Sequence, residues 1–193
     1  MLPLVLASTS FYRKQLLEKL GLPFIQAAPN IDESPLDQES ASTLVERLAR
    51  EKALALTENH PNSLIIGSDQ AATFDGRIIG KPHTKDNAQK QLKGFSGQKI
   101  TFYTGLALHN TATGETKSLV EPFHVYFRKL SDQHIARYIE KENPLDCAGS
   151  FKSEGMGVAL FEKLEGRDPN TLIGLPLIAL CDLLHDFGIS PLD

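Results

Sequence analysis

Asp69 and Lys81 are the residues of this 193-residue chain whose types and surroundings most invite chemistry. The apolar run Leu64-Ile65-Ile66 feeds Gly67-Ser68 and then presents Asp69, as a buried strand does when it delivers a carboxylate to a sheet edge. Asp75-Gly76 marks a tight turn, and Ile78-Ile79 returns toward Gly80-Lys81-Pro82. This hairpin pattern places an acid and a base near one end. A carboxylate that can hold a divalent cation beside an ammonium that can hold a phosphate points to phosphate chemistry. An ordinary charged surface hairpin is the plainer alternative.

A second anion site is written at the N-terminus. Leu4-Val5-Leu6-Ala7 reads as a short buried strand, followed by Ser8-Thr9-Ser10-Phe11-Tyr12-Arg13 and a helix with Leu16, Leu17 and Leu20 on one face. Gly21 stands where a helix C-terminal cap belongs. A helix start turns free backbone N–H groups and a positive dipole end toward an anion. Ser8 and Ser10 add hydroxyls there, and Arg13 adds a bidentate clamp. Capping of the helix is the commoner role for such serines, and the two roles coexist.

The elements that must position these groups alternate along the chain. Phe24 to Ala28 reads as a strand ending in an acidic turn between Pro29 and Pro35. From Ser42 the apolar residues Leu44, Val45, Leu48, Ala49, Ala53 and Leu56 recur at helical spacing, with Lys52 beside that stripe. Thr84 to Leu92 is expected as a short helix ended by Gly94, and Ile100 to Leu108 as a strand. After a turn at Thr111–Gly114 the chain reads as extended to Arg128, with Phe123, Val125 and Phe127 on its buried face. Ser131 opens a helix closed by Asn143-Pro144, Val158 to Phe161 is expected as a strand, and Pro176 to Leu184 as a final apolar helix. There is no repeat, low-complexity tract or composition break. The expected fold is α/β with a mixed sheet, in one domain or one domain of two lobes.

Charge and composition narrow the function. Lys and Arg number 20 against 24 Asp and Glu, a formal net charge of -4. Nucleic-acid binding, which wants a broad basic face, is not expected. Cys147 and Cys181 lie far apart and form no CxxC, which fits a reducing compartment. No signal-peptide core opens the chain, and no apolar run approaches the ~20 residues of a membrane span. A soluble, cytoplasmic protein with no membrane partner is expected.

Several chemistries fall away. GRIIGKP has three residues between its glycines where a P-loop has four, and Pro82 where Ser or Thr should ligate magnesium. GxGxxG, HExxH and GxSxG are absent, and the six histidines form no ligand-spaced pair. What remains is a set of oxygen ligands, Asp32, Glu33, Asp69 and Glu154, against Arg13, Lys52 and Lys81. Hard oxygen ligands suit Mg²⁺ or Mn²⁺.

Taken together, LASTSFYRKQLLEKLG, IDES, REKA, IIGSDQ, GKP, FYTGLAL, CAGSFKSEGMG and EGRDPNTLIGLP resemble the Maf family of nucleoside triphosphate pyrophosphatases over essentially the whole chain. The wording of SDQ, FKSEG and GRDPNTLIGLPLIAL is similar to the subgroup acting on 7-methyl-GTP. The resemblance implies an elongated mixed sheet flanked by helices, of the Maf/ITPase-like kind. It implies hydrolysis between the α and β phosphates, to a nucleoside monophosphate and pyrophosphate, with a divalent cation, Mg²⁺ or Mn²⁺. It implies Asp69 as the catalytic acceptor of the water's proton and Ser8, Arg13, Lys52 and Lys81 as phosphate-binding. Glu33 would help Asp69 hold the metal, and Tyr12, Gln70 and Glu154 would set nucleotide choice. Tyr12 stands where that subgroup more often carries tryptophan. The expected partner is a small nucleoside triphosphate, and a homodimer is left open. The nearest competing readings are a dTTP- or UTP-preferring pyrophosphatase of the same family, a phosphatase or nucleotidyl transferase using the same clamps, and a non-catalytic nucleotide sensor in cell-division control.

Overall fold

The structure, a computed structural model, describes residues 2–193. Seven strands form one mixed sheet in the order β2-β1-β3-β5-β6-β7, with β4 paired to β3 off that path. β1 (Leu4–Ala7) runs parallel to β2 (Phe24–Ala27) and to β3 (Leu64–Phe74), while β4 (Arg77–Ile79) is antiparallel to β3. β5 (Lys99–Asn110) and β6 (Thr116–Phe127) are long strands, and β7 (Phe161–Gly166) pairs antiparallel with β6. The expected mixed α/β architecture is present.

The chain divides into two compact units, to both of which β3, β5 and β6 contribute residues. The first comprises the residues up to Gln70, Tyr103–Glu121 and Arg167–Asp193. Its strands alternate between two cores, as the period-two pleat requires. Leu4, Leu6, Leu64 and Ile66 face a cluster built with α1 (Phe11–Glu18) and α6 (Leu177–Asp186), through Leu16, Leu17, Leu180 and Leu184. Val5, Ala7 and Ile65 face the opposite way, against Ala53 of α2 (Ala41–Leu54). A short helix, α5 (Asn170–Ile173), precedes α6. Asp168, 1% exposed, braces this corner by accepting from the backbone N–H groups of Asn170 and Ile178, both at 2.8 Å.

The second unit comprises Ala71–Phe102 and Pro122–Gly166 and contains α3 (Lys85–Phe95) and α4 (Asp132–Glu142). Its core is aromatic. Phe95, Phe127, Phe151 and Phe161 form a chain of edge-on and tilted ring contacts with centroids 4.9–5.6 Å apart. Offset geometry of this kind adds about 0.5–1.5 kcal/mol per pair beyond burial. Thr84 and Ser131 cap α3 and α4 by accepting from the N–H groups three residues on.

Two sequence expectations are corrected here. α3 does not stop at Gly94 but continues to Phe95, whose ring is buried among the aromatics. Residues Met156–Leu160 are a 3₁₀ turn rather than the start of a strand, which begins only at Phe161. The amides of Gly155 and Gly157 both donate to the carbonyl of Lys152, curling the backbone before it can extend.

Candidate active site

The acid foreseen at a strand end lies inside a longer strand. β3 runs on to Phe74, because Ala71 and Ala72 extend the buried run. The edge at Asp69 is nonetheless open on one side. β1 pairs with β3 only as far as Ala7 opposite Gly67, and β4 joins only at Ala72. Asp69 falls in the interval, just beyond the end of β1, where Ser8 begins the turn into α1.

Lys52 reaches this interval from the last turn of α2. Its Nζ lies 2.6 Å from Oδ1 of Asp69 and 2.9 Å from Oε1 of Glu33. The lysine is 4% exposed and Asp69 9%, so this charge pair is held away from water, while the Glu33 side chain is 59% exposed. At two glycines the backbone of the helix that carries Lys52 lies directly on the strands. A Cβ on Gly67 would overlap the carbonyl oxygen of Ala49, and one on Gly105 that of Val45.

Glu33 is presented by a fastened loop. Asp32, on the sequence evidence an equal candidate ligand, instead accepts from the backbone N–H of Ser34 at 2.9 Å and serves its own turn. Arg47 on α2 donates to the carbonyl of Ser34 at 3.2 Å and to both carboxylate oxygens of Glu39 at 2.7 Å. This bidentate pair holds the Glu39 carboxyl down at a pKa of about 2.

Ser10 is the N-cap of α1, its oxygen accepting from Arg13 N, and Ser8 Oγ accepts from the amide of Ser10 at 3.1 Å. Capping is therefore the role of Ser10. The Ser8 hydroxyl keeps its proton for another acceptor. Arg13 is aimed by a residue that the sequence did not single out: its Nε donates to the carbonyl of Gly174 at 2.8 Å. The buried Ser68 hydroxyl lies 2.9 Å from that same carbonyl and from that of Gly105. Gly174 adopts φ 113°, which side chains avoid, and a Cβ there would press on the guanidinium of Arg13. Burial pulls the pKa of Arg13 down, while Asp69 and then Glu33 draw it back up.

Gln70 is more committed than its sequence role implied. Its amide nitrogen approaches Thr104 Oγ1 at 3.0 Å and the carbonyls of Thr171 and Leu172 at 2.7 and 3.2 Å. Two N–H bonds serve three acceptors, leaving the amide oxygen for a ligand. Tyr12 is 40% exposed, its ring edge-on to Phe11 at 5.9 Å. Ser8, Tyr12, Arg13, Glu33, Lys52, Asp69 and Gln70 all belong to the first unit; Lys81 and Glu154 belong to the second, both exposed, with Glu154 accepting from Ser153 Oγ at 3.3 Å.

The family profile described as Maf-like protein matches residues 3–187. The chain belongs to the Maf-like protein family. Two solved structures resemble this Maf-like protein distantly. A nucleoside-triphosphatase, dITP/XTP pyrophosphatase, from Mycobacterium abscessus is 16% identical, with a TM-score of 0.40 over 66% of this chain and 74% of that one. The Ham1 protein of Staphylococcus aureus is 15% identical, with a TM-score of 0.41 over 80% of this chain and 89% of that one.

The charge cluster of the Maf-like protein fits a hard cation. Glu33 and Asp69 already converge on one positive charge, the ammonium of Lys52. Mg²⁺ is commonly held by one or two carboxylates, with water and substrate phosphates completing its shell. Among the described residues no group of three or more His, Cys, Asp and Glu side chains is assembled for a metal, so an all-protein cage is not built. No helix among them is long and apolar enough to cross a membrane.

Proposed function

We propose that this Maf-like protein is a nucleoside triphosphate pyrophosphatase that hydrolyses the α–β anhydride of 7-methyl-GTP to 7-methyl-GMP and pyrophosphate. The observation that carries the reading is the buried ion pair of Lys52 with Asp69, with Glu33 on the same ammonium and Arg13 electrostatically coupled to both acids. Anhydride hydrolysis needs a base for the attacking water and cations to absorb charge on phosphoryl oxygens. Asp69 accepts the water's proton as the water adds to phosphorus and the bridging P–O bond breaks. Pyrophosphate leaves with the electron pair of that bond. Arg13, Lys52 and Lys81 bind the phosphoryl oxygens, and the Ser8 hydroxyl donates to another. A divalent cation, Mg²⁺ or Mn²⁺ on Glu33 and Asp69, would supply charge neutralisation and lower the pKa of water.

Nucleotide choice rests on Tyr12, Gln70 and Glu154. Methylation at N7 makes guanine cationic, and a cation over a tyrosine face gains roughly 0.5–2 kcal/mol. A carboxylate such as Glu154 accepts from the guanine N1–H and amino group. Neutral pyrimidines gain little from either contact. Tyr12 stands where the 7-methyl-GTP subgroup more often carries tryptophan, and a dTTP- or UTP-preferring pyrophosphatase of the same family is the competing reading.

The test is a panel of 7-methyl-GTP, GTP, UTP and dTTP with separate detection of pyrophosphate and orthophosphate. Pyrophosphate release with highest kcat/KM on 7-methyl-GTP is expected, and Tyr12→Ala and Glu154→Gln should each narrow the margin over GTP or UTP. A preference for UTP or dTTP removes the nucleotide assignment alone. Orthophosphate as the product removes the reaction.

A further inference from the structure

We propose that the second unit carries a ligand pocket of its own, built for an organic phosphate: an aromatic body bearing a phosphoryl group. The pocket has a volume of about 360 Å³, within the size of small-molecule sites. Nothing assigned to the charge cluster around Asp69 lines it.

Half of the lining is basic. His134, Arg137 and Lys141 stand at i, i+3 and i+7 on α4, one stripe of that helix, and Arg128 and Lys129 join them from the segment after β6. No carboxylate is part of the lining. Of the three acids on α4, Asp132 pairs with Lys93 at 3.0 Å, Glu142 accepts from the amide of Met156 at 2.8 Å, and Glu140 lines a separate concavity with Lys85 and Gln89. Among the described residues, Arg128, Arg137 and Lys141 have no ion-pair partner.

The rest of the lining is apolar or aromatic: Leu130, Tyr138 and the 3₁₀ turn with Ala159 and Leu160, where Met156 is left 44% exposed. That turn is anchored by Glu142 from the end of α4 itself, so the turn and the helix are tied to each other. A chain of net charge -4 has no general excess of cations to scatter over its surface. Five basic side chains around one concavity are therefore a local concentration. Solvated lysines on a convex helix need no apolar partner. Here the cations border a methionine face, and a ligand with an anionic end and a planar apolar body covers both at once.

The experiment is a titration of the ¹⁵N-labelled full chain followed by amide shifts, with guanosine 5′-monophosphate as probe. The probe has no α–β anhydride, so it cannot be turned over by the proposed pyrophosphatase. Saturable shifts are expected across 128–141 and 156–160. The double variant Arg137→Ala/Lys141→Ala should weaken that binding by roughly tenfold or more, the loss of charge-assisted contacts. The same shifts should persist in Lys52→Ala, which separates this pocket from the proposed active site. Shifts confined to residues around Asp69 overturn the proposal. So does equal binding of guanosine, which makes the cations irrelevant, or of inorganic phosphate, which makes the apolar lining irrelevant. Binding of phosphatidylserine vesicles without any response to the nucleotide would instead make the patch a membrane contact, and also overturns it.

Discussion

Lys52 and Asp69, 17 residues apart in sequence, are joined at 2.6 Å in a site where both side chains are almost fully withdrawn from solvent. The ammonium does two jobs with one charge. It neutralises a carboxylate that the sheet would otherwise bury alone, and it draws Glu33 to within 2.9 Å from a surface loop. Phosphate binding by Lys52 therefore competes with two internal carboxylates, and a divalent cation on those carboxylates would release the ammonium toward substrate.

Asp69→Asn tests the base. The amide keeps the shape and still accepts from Lys52, so folding should be retained. It cannot take the proton of water, and loss of a general base typically lowers turnover by about 10²–10⁴-fold. Circular dichroism and steady-state kinetics on the same sample check this; near-normal kcat with a native spectrum would take Asp69 out of the mechanism.

Lys52→Ala should fail differently. It leaves Asp69 buried without its partner, and breaking a buried ion pair costs roughly 3 kcal/mol or more. The variant should therefore lose both unfolding free energy and kcat/KM, whereas Asp69→Asn should lose mainly kcat. Urea denaturation of the two variants side by side separates them. Equal stability of Lys52→Ala and the parent protein would show that the pair is not held in the folded state.

Gln70→Ala removes the donor that ties β3 to the carbonyls of Thr171 and Leu172 at 2.7 and 3.2 Å. The Thr171 carbonyl keeps Thr104 Oγ1 and the amide of Gly174 as donors, so the carbonyl of Leu172 is the one that loses its partner, and a buried acceptor left unpaired costs about 1–3 kcal/mol. Because Gly174 follows in the same turn and aims Arg13, the expected kinetic effect is a raised KM for the triphosphate. Faster amide exchange at 171–175 is the accompanying signature, and unchanged exchange there would reduce Gln70 to a direct substrate contact.

Glu39→Gln tests the loop brace through pH. The Glu39 carboxyl is depressed from 4.5 to about 2, first by its hydrogen bonds from Arg47 and then by the amide of Leu36. A depressed acid contributes stability above its unfolded value, and that contribution fades as pH falls from about 4.5 through about 2. The variant should therefore be less stable than the parent at neutral pH, with the gap closing across that acid window. Thermal unfolding at pH 7, 4 and 2 measures it, and a constant gap would contradict the brace.

Much of this site could be read before folding was considered, and the limits of that reading are physical. Ser10 as a cap, Ser131 as a cap and Asp69 after an apolar run are local signals, carried by residues within a few positions of one another. The Lys52–Asp69 pair is not local. It depends on α2 lying across β3 at one height, and no spacing in the sequence encodes that height. Gly174 was invisible for the same reason: its role is a carbonyl, which every residue has, in a backbone conformation that few adopt. The strand expected from Val158 failed because a four-residue apolar stretch cannot distinguish an extended segment from a 3₁₀ turn.

The bare contact of α2 on Gly67 and Gly105 bears on how freely this protein can change. Most helix–sheet distances are adjustable, since a methylene added or removed at the interface shifts the helix by a fraction of an ångström. Here backbone meets backbone, and there is no spacer to lengthen or shorten. Variation at position 52 cannot be compensated by repacking beneath the helix, and variation at 67 or 105 cannot be absorbed without displacing the lysine. A side chain at 67 or 105 would lift α2 off the sheet and carry Lys52 away from Asp69, so the placement of the cation depends on two residues that never touch it.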